Sequence, residues 1–265
     1  MPFFHLVILA LIQGITEFLP VSSSGHLVLA HHLLGQDTGW AQDLMIDVAV
    51  HVGTLFAVLI YFRKDIYAMI FSPKDDQKKK LPYLILLASV PVIIAGFFLH
   101  LIAPDILRSI EVMAWCTLLF GILLWVADRF KPDARTLDNL TWRHALGIGF
   151  AQILALIPGT SRSGITMTAA RFFGYNRIDA ARFSLFLAIV AISGAGVLGG
   201  MDVLNHKDTT FGIDILIAAA LSFLAALGAI HLMLKWLEKS TFTPFAIYRV
   251  ILGIILLSLI YSGAI

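Results

Sequence analysis

Long apolar runs divided by short polar stretches make up most of this chain. Six of the runs cover roughly 46–62, 82–101, 111–129, 181–201, 212–236 and 245–263. They approach or exceed the roughly 20 residues that a helix needs to cross a hydrocarbon core. Two further stretches, about 3–35 and 143–174, are as apolar but are broken in the middle. The first breaks at Pro20-Val21-Ser22-Ser23-Ser24-Gly25 and the second at Pro158-Gly159-Thr160-Ser161-Arg162-Ser163-Gly164. Each half is too short to span alone. The pattern therefore predicts two re-entrant helix–loop–helix pairs, whose bare backbone must be buried in protein or line a wet cavity.

The polar positions add orientation. If Arg63, Lys64, Lys74, Lys78, Lys79 and Lys80 lie in the cytoplasm, alternation of the spans puts Arg129, Lys131, Arg135 and Arg143 there too. Arg171, Arg177, Arg182, Lys235 and Lys239 follow, with only Arg108 and Lys207 outside. Arg249 then sits near the cytoplasmic end of the last span, and Arg162 is left within the membrane. The Lys-rich stretch 74–80 reads as a solvated loop. The same alternation brings the first broken stretch in from outside and the second from the cytoplasm. A constant offset of 139 aligns His5 with His144, Gln13 with Gln152, Ser22 with Ser161, Ser24 with Ser163, Gly25 with Gly164, Ala30 with Ala169 and Gly35 with Gly174. The expected fold is an all-α integral membrane protein: six transmembrane helices plus two re-entrant pairs in an inverted-topology repeat. It is one membrane domain over 1–265, with repeat one about 1–130 and repeat two about 140–265. Such folds place their site near the midplane, where broken helices meet.

Composition agrees with this reading. Hydrophobic residues make up 59% of the 265 and charged residues 14%, with a mean hydropathy of +0.88. A soluble domain needs a more polar exterior. The net charge of +2 comes from cations flanking apolar runs, so it points to a membrane topology and not to a nucleic-acid partner. The single Cys116 cannot form an intramolecular disulfide and reads as a small buried hydrophobe.

Chemistry concentrates at the breaks. The first N–H groups of a helix lack internal partners and carry partial positive charge, so two converging helix starts suit a phosphate. The candidate cradle is Ser22, Ser24, Gly25, Ser161, Ser163 and Gly164, with glycine admitting a ligand close to the backbone. Arg162 is costly at bilayer depth and binds phosphate through a planar fork; the structural alternative is an ion pair with Glu17. Gln13 and Glu17, one helical turn apart, suit a hard divalent cation, although Gln13 can equally make an interhelical hydrogen bond. Asp47 can support the metal or mark the interface. Ser23 and His26 are candidate nucleophile and acid–base groups; His31, His32 and His51 are weaker ones.

The run Gln13-Gly14-Ile15-Thr16-Glu17-Phe18-Leu19-Pro20-Val21-Ser22-Ser23-Ser24-Gly25-His26 and the run 158–164 closely resemble the two signature motifs of the bacterial undecaprenyl-diphosphatase (bacitracin-resistance) family, as does Pro244-Phe245-Ala246-Ile247-Tyr248-Arg249. The resemblance covers essentially the whole chain. It implies hydrolysis of undecaprenyl diphosphate to undecaprenyl phosphate and inorganic phosphate with a divalent cation, Mg2+ or Ca2+, recycling the lipid carrier for cell-wall synthesis. The implied place is the bacterial cytoplasmic (inner) membrane, with the site on its outer, periplasmic side and a homodimer as the assembly. By motif position Gln13 and Glu17 fill the acidic motif, with Gln leaving one fewer negative charge for the metal. Ser23 and His26 match the proposed catalytic serine and histidine, and Arg162 the phosphate-binding arginine; Ser161, Ser163 and Thr166 belong to the second motif. If Ser23 attacks, His26 is the expected base. The rival reading is a transporter or flippase for an anionic phosphate substrate, since inverted repeats with broken helices also serve transport.

Overall fold

The computed structural model describes residues 3–34, 40–71, 76–102, 109–130, 133–205 and 213–263. Lys74, Arg108, Lys131, Lys207 and Gly35 lie outside them, as do the side chains of Ser24, His31, His32, Lys78 and Lys79. The helices are α1 Phe3–Thr16, α2 Ser23–Leu34, α3 Trp40–Tyr61, α4 Arg63–Phe71, α5 Asp76–Ile102, α6 Ile110–Phe130, α7 Trp142–Ile153, α8 Arg162–Phe172, α9 Arg177–Asn205, α10 Ile213–Leu237 and α11 Thr243–Tyr261. Among the described residues β-structure is confined to a single bridge between Arg135 and Tyr175.

Five helices are long and apolar enough to cross a bilayer on their own: α5, α6, α9, α10 and α11. The count is six if α3 and α4, which meet at a 65° bend, form one span. Their outer faces carry Ile93, Phe97, Phe98, Leu119, Leu224 and Ile254 in the open. Apolar exteriors of this extent suit lipid, and the chain is a multi-pass membrane protein.

One expectation changes. α4 continues the chain as helix beyond the third helix's bend. Phe62 is buried at the α3–α4 joint, where Phe62 N–H bonds Val58 O and Ile66 N–H bonds Phe62 O, so hydrogen bonding runs through the bend. The Lys-rich stretch is helix from Asp76 onward, with Pro82 and Pro91 inside α5. Gln and Lys are good helix formers, and they carry α5 past its apolar segment into a charged extension.

Packing follows the small residues. A Cβ on Gly53 of α3 would lie 2.2 Å from Ala219 O of α10, and one on Gly149 of α7 2.2 Å from Ala88 O of α5. Only glycine lets these backbones approach so closely, as is common between membrane helices. α10 packs on α3 and α1, α5 on α9 and α7, α3 on α9, α6 on α11, and α8 on α6 and α9. At the Lys/Arg-rich end, Asp128 binds Arg171 at 3.2 Å and Arg177 at 2.7 Å, and Asp133 pairs with both arginines. Asp128 also accepts from the Phe242 amide at 2.9 Å, so this cluster ties α6, α8 and α9 to the start of α11.

Candidate functional site

The first break begins where α1 runs into Pro20. Glu17 N–H still bonds Gln13 O, so Gln13 and Glu17 share one helix face, and Gln13 Nε2 donates to Glu17 Oε2 at 2.8 Å. Past Pro20 the chain turns at Ser22, whose φ is 75°. Its hydroxyl accepts from Gly25 N–H at 3.4 Å and so caps α2. The second break repeats the device. α7 tightens into a short 3-10 turn, Leu154–Leu156, and Gly159 turns the chain at φ 89° where an added Cβ would meet Met113 O at 2.2 Å. Ser161, at φ 70°, caps α8 by accepting from Gly164 N–H at 3.1 Å. Ser22 and Ser161 are the two non-glycine residues at positive φ among the described residues. That conformation costs an L-residue roughly 1 kcal/mol or more and tends to persist at functional sites.

The two breaks meet. Arg162 Nη2 donates to Glu17 Oε1 at 2.8 Å, and its Nη1 to Ser184 O at 3.0 Å. Ser23 Oγ donates to Glu17 Oε2 at 2.8 Å. Ser163 Oγ reaches across to Leu19 O at 2.8 Å, stitching one break to the other. Glu17 is thus a nearly buried carboxylate, 8% exposed, shared by an amide, a hydroxyl and a guanidinium. The ion pair with Arg162 is formed, and it sits where both helix starts converge.

The histidines add directional detail. His26 Nδ1 lies 2.6 Å from Ser22 O; a carbonyl only accepts, so Nδ1 carries the proton. Nε2 then holds a lone pair, and Tyr248 O–H donates to it at 2.5 Å. The expected Ser23–His26 pairing is therefore not made in this state. Ser23 gives its proton-bearing bond to Glu17, and both imidazole nitrogens are engaged elsewhere. His51 Nδ1 likewise donates to Asp47 O at 2.6 Å, turning Nε2 toward Glu17 Oε2 at 4.0 Å. Arg249 is not a flanking charge at a span end. It is fully buried and donates to Gly159 O and Thr160 O at 2.9 and 2.8 Å, with Thr117 O and Cys116 O at longer range. It thereby fixes the backbone of the second break.

Of the residues expected from sequence, Gln13, Glu17, Ser23 and Arg162 form one bonded cluster, with Ser161, Ser163 and Gly164 in the turn beneath Arg162. Ser22, Gly25 and His26 lie on the adjoining turn of α2, and the side chain of Ser24 is outside the described residues. Thr166 is buried behind the cluster, bonding Arg162 O at 2.9 Å and Ser184 Oγ at 2.8 Å; it supports Arg162 from the rear. Asp47 enters through its carbonyl, which orients His51. The reading missed Tyr248 and Arg249 as site residues, although both stand in the third motif, and it underrated His51. Among the described residues no three His, Cys, Asp or Glu side chains group to hold a metal by themselves. The donors present do fit a hard cation that takes its remaining ligands from phosphate and water: Gln13 Oε1 is a buried acceptor with no hydrogen-bond partner, beside the Glu17 carboxylate.

The chain is thus a multi-pass membrane protein with a guanidinium, a carboxylate, a hydroxyl and an imidazole gathered at two capped helix starts. The family profile "Bacitracin resistance protein BacA" matches residues 6–255, and the chain belongs to that family. It is 50% identical to a protein named undecaprenyl-diphosphatase from Jannaschia sp. (strain CCS1), over 99% of this chain and 100% of the relative. Similar matches are undecaprenyl-diphosphatases of Ruegeria pomeroyi, 47% identical, and Roseobacter denitrificans, 46% identical, each over 99% of this chain and the whole relative.

Proposed function

We propose that this chain hydrolyses undecaprenyl diphosphate to undecaprenyl phosphate and inorganic phosphate, returning the lipid carrier to cell-wall synthesis. The observation that carries the reading is the Glu17–Arg162 pair at the meeting of two serine-capped helix starts, with Ser23 bonded to the same carboxylate. The names of the full-length relatives and these reactive groups favour hydrolysis over transport.

The fold reading is six spans and two re-entrant pairs, repeated with inverted topology over about 1–130 and 140–265. Three features support it. Ser22 and Ser161, which the 139 offset aligns, share the same positive φ and the same cap to a glycine three residues on. Gln13 and Gln152 are both fully buried. Exchanging α1 with α7, α2 with α8, α3 with α9, α5 with α10 and α6 with α11 maps α10·α3 onto α5·α9, α1·α10 onto α7·α5 and α1·α2 onto α7·α8. The proposed setting is the bacterial inner membrane with the site open to the periplasm, supported by the placement of Lys and Arg. The homodimer implied by the family motifs is part of the same proposal.

In the mechanism Arg162 and the free amides of α2 and α8 bind the terminal phosphoryl group and stabilise the charge that develops on its oxygens. Gln13 and Glu17 would hold the divalent cation, Mg2+ or Ca2+, which neutralises diphosphate charge when bound. Two groups are placed to attack phosphorus. Ser23 can do so with its proton passing to Glu17 Oε2, and His26 can do so through the lone pair of Nε2. Either way the bond from phosphorus to the bridging oxygen breaks, undecaprenyl phosphate leaves, and water then releases inorganic phosphate from the enzyme.

The test is phosphate release from undecaprenyl diphosphate by purified protein in detergent, with and without chelator. Arg162→Ala and Glu17→Ala should each abolish metal-dependent release. No release by folded wild type with any divalent cation would overturn the reading. An acid-stable phosphoenzyme would assign the attack to Ser23 and an acid-labile one to His26.

A further inference from the structure

Tyr248 is absorbed by none of the chemistry above, yet it makes the one bond that decides what His26 can do. It stands on α11, 222 residues from His26, and the two rings lie nearly parallel, 11° apart with centroids at 5.6 Å. On the far side of the imidazole, Ser22 O takes the Nδ1 proton at 2.6 Å and also accepts from His26 N–H at 3.3 Å. The imidazole is therefore held from both ends. A carbonyl only accepts, so Ser22 O sets the tautomer by keeping the proton on Nδ1, as the partner of one ring nitrogen generally sets the state of the other. The neutral ring then presents the bare Nε2 to the Tyr248 O–H.

From this we infer that Tyr248 is a positioning residue for the hydrolysis: its O–H···Nε2 bond, made to the tautomer that Ser22 O sets, holds the imidazole with Nε2 aimed outward until substrate arrives. The inference rests on the reading that Nε2 of His26 takes part, as attacking atom or as proton acceptor for water. The half-exposed ring of Tyr248 leaves its hydroxyl room to swing away when a phosphoryl group takes its place. Arg249, the next residue along, is locked to four carbonyls and fixes the turn of α11 from which Tyr248 projects.

The experiment compares wild type, Tyr248→Phe and His26→Ala in the full chain. It measures kcat and KM for phosphate release from undecaprenyl diphosphate, and 15N NMR of protein labelled at histidine, with the His26 signal identified by its loss in His26→Ala. Tyr248→Phe keeps the ring and loses only the donor, so it should fold as wild type. The expected result is a fall in kcat of about tenfold, the scale of one lost hydrogen bond, with KM unchanged. The His26 Nε2 signal should shift, reporting loss of the donated bond, while Nδ1 keeps its proton on Ser22 O. Tyr248→Gln, which restores an N–H donor, should recover part of kcat. Wild-type kcat in Tyr248→Phe, an unmoved His26 signal, or a rise in KM alone would each overturn the inference; the last would make Tyr248 a substrate contact instead. Full activity of His26→Ala would sink the reading of His26 and this inference with it. Loss in His26→Ala without loss in Tyr248→Phe would sink the inference alone.

Discussion

At the first break Ser22 caps α2 and at the second Ser161 caps α8, each at positive φ and each through its hydroxyl and the amide of a glycine. The backbone device is the same; the side chains on it are not. Where the first break has Glu17, Ser23 and His26, the 139 offset puts Leu156, Arg162 and Ile165 in the second. Even the shared glutamines diverge: Gln13 donates to Glu17, whereas both amide atoms of Gln152 are buried without a hydrogen-bond partner. On the proposed repeat and site, one backbone cradle carries two different sets of side chains. The carboxylate, hydroxyl and imidazole proposed for the chemistry lie at the first break and the guanidinium at the second, and Ser163 Oγ on Leu19 O ties the two breaks together.

The heaviest blow to that division is Arg162→Ala. It leaves Glu17 buried without its counter-charge, a loss of about 3–5 kcal/mol for a broken buried pair, and it removes the phosphate clamp. Stability in detergent should drop sharply and phosphate release should vanish. Adding Glu17→Gln should restore much of the stability and none of the activity, which separates the two roles.

Gly164→Ala and Gly25→Ala probe the cradles themselves. A Cβ on Gly164 would lie 2.7 Å from Arg249 Nη1, on a guanidinium whose Nε and Nη2 bond to four carbonyls. Overpacking there should cost about 1–3 kcal/mol and most of the activity. On Gly25 the nearest atoms are Ser22 Oγ at 3.3 Å and the Met113 sulfur at 3.4 Å. Met113 is flexible, and alanine favours the helix, so stability should stay within about 0.5 kcal/mol. Equal losses in thermal melts of the two variants would break the comparison.

How much of this was legible beforehand differs between fold and site. The apolar runs marked every long helix, because a membrane span writes its length directly into composition. The helix over 63–71 and the charged start of α5 at 76–80 were not visible, since their charges read as solvent and nothing local announced the buried Phe62 joint. At the site, Arg162 and Glu17 were legible as misfits of charge in apolar surroundings. Tyr248 was not: a tyrosine near a helix end has no polarity signal, and only folding brings it to a histidine far along the chain. Arg249 was misplaced because alternation fixes a side of the membrane and not a depth within the bundle.

Smaller effects sharpen the comparison further. Ser161→Ala should lower stability by about 1 kcal/mol through loss of its cap, and Ser161→Gly by only a few tenths, because glycine also relieves the positive φ. Smallest of all, Gln152→Leu should leave activity unchanged and stability equal or slightly higher in denaturation assays, since it removes two unpaired polar atoms. Gln13→Leu strips Glu17 of a donor and should lower phosphate release. If Gln152→Leu proved as damaging as Gln13→Leu, the two copies would not have divided their labour after all.

The distance between bonded partners along the chain also bears on biogenesis. Glu17 meets an arginine 145 residues downstream, and His26 meets a tyrosine carried by the final helix. During synthesis the segment bearing the nucleophiles leaves the ribosome first and waits, incomplete, while the rest of the bundle is inserted. A chain released before α11 would hold its serine and histidine in place with no tyrosine to set the imidazole and no Arg249 to shape the second turn. Competence to cut phosphate is therefore expected only once α11 has joined the bundle.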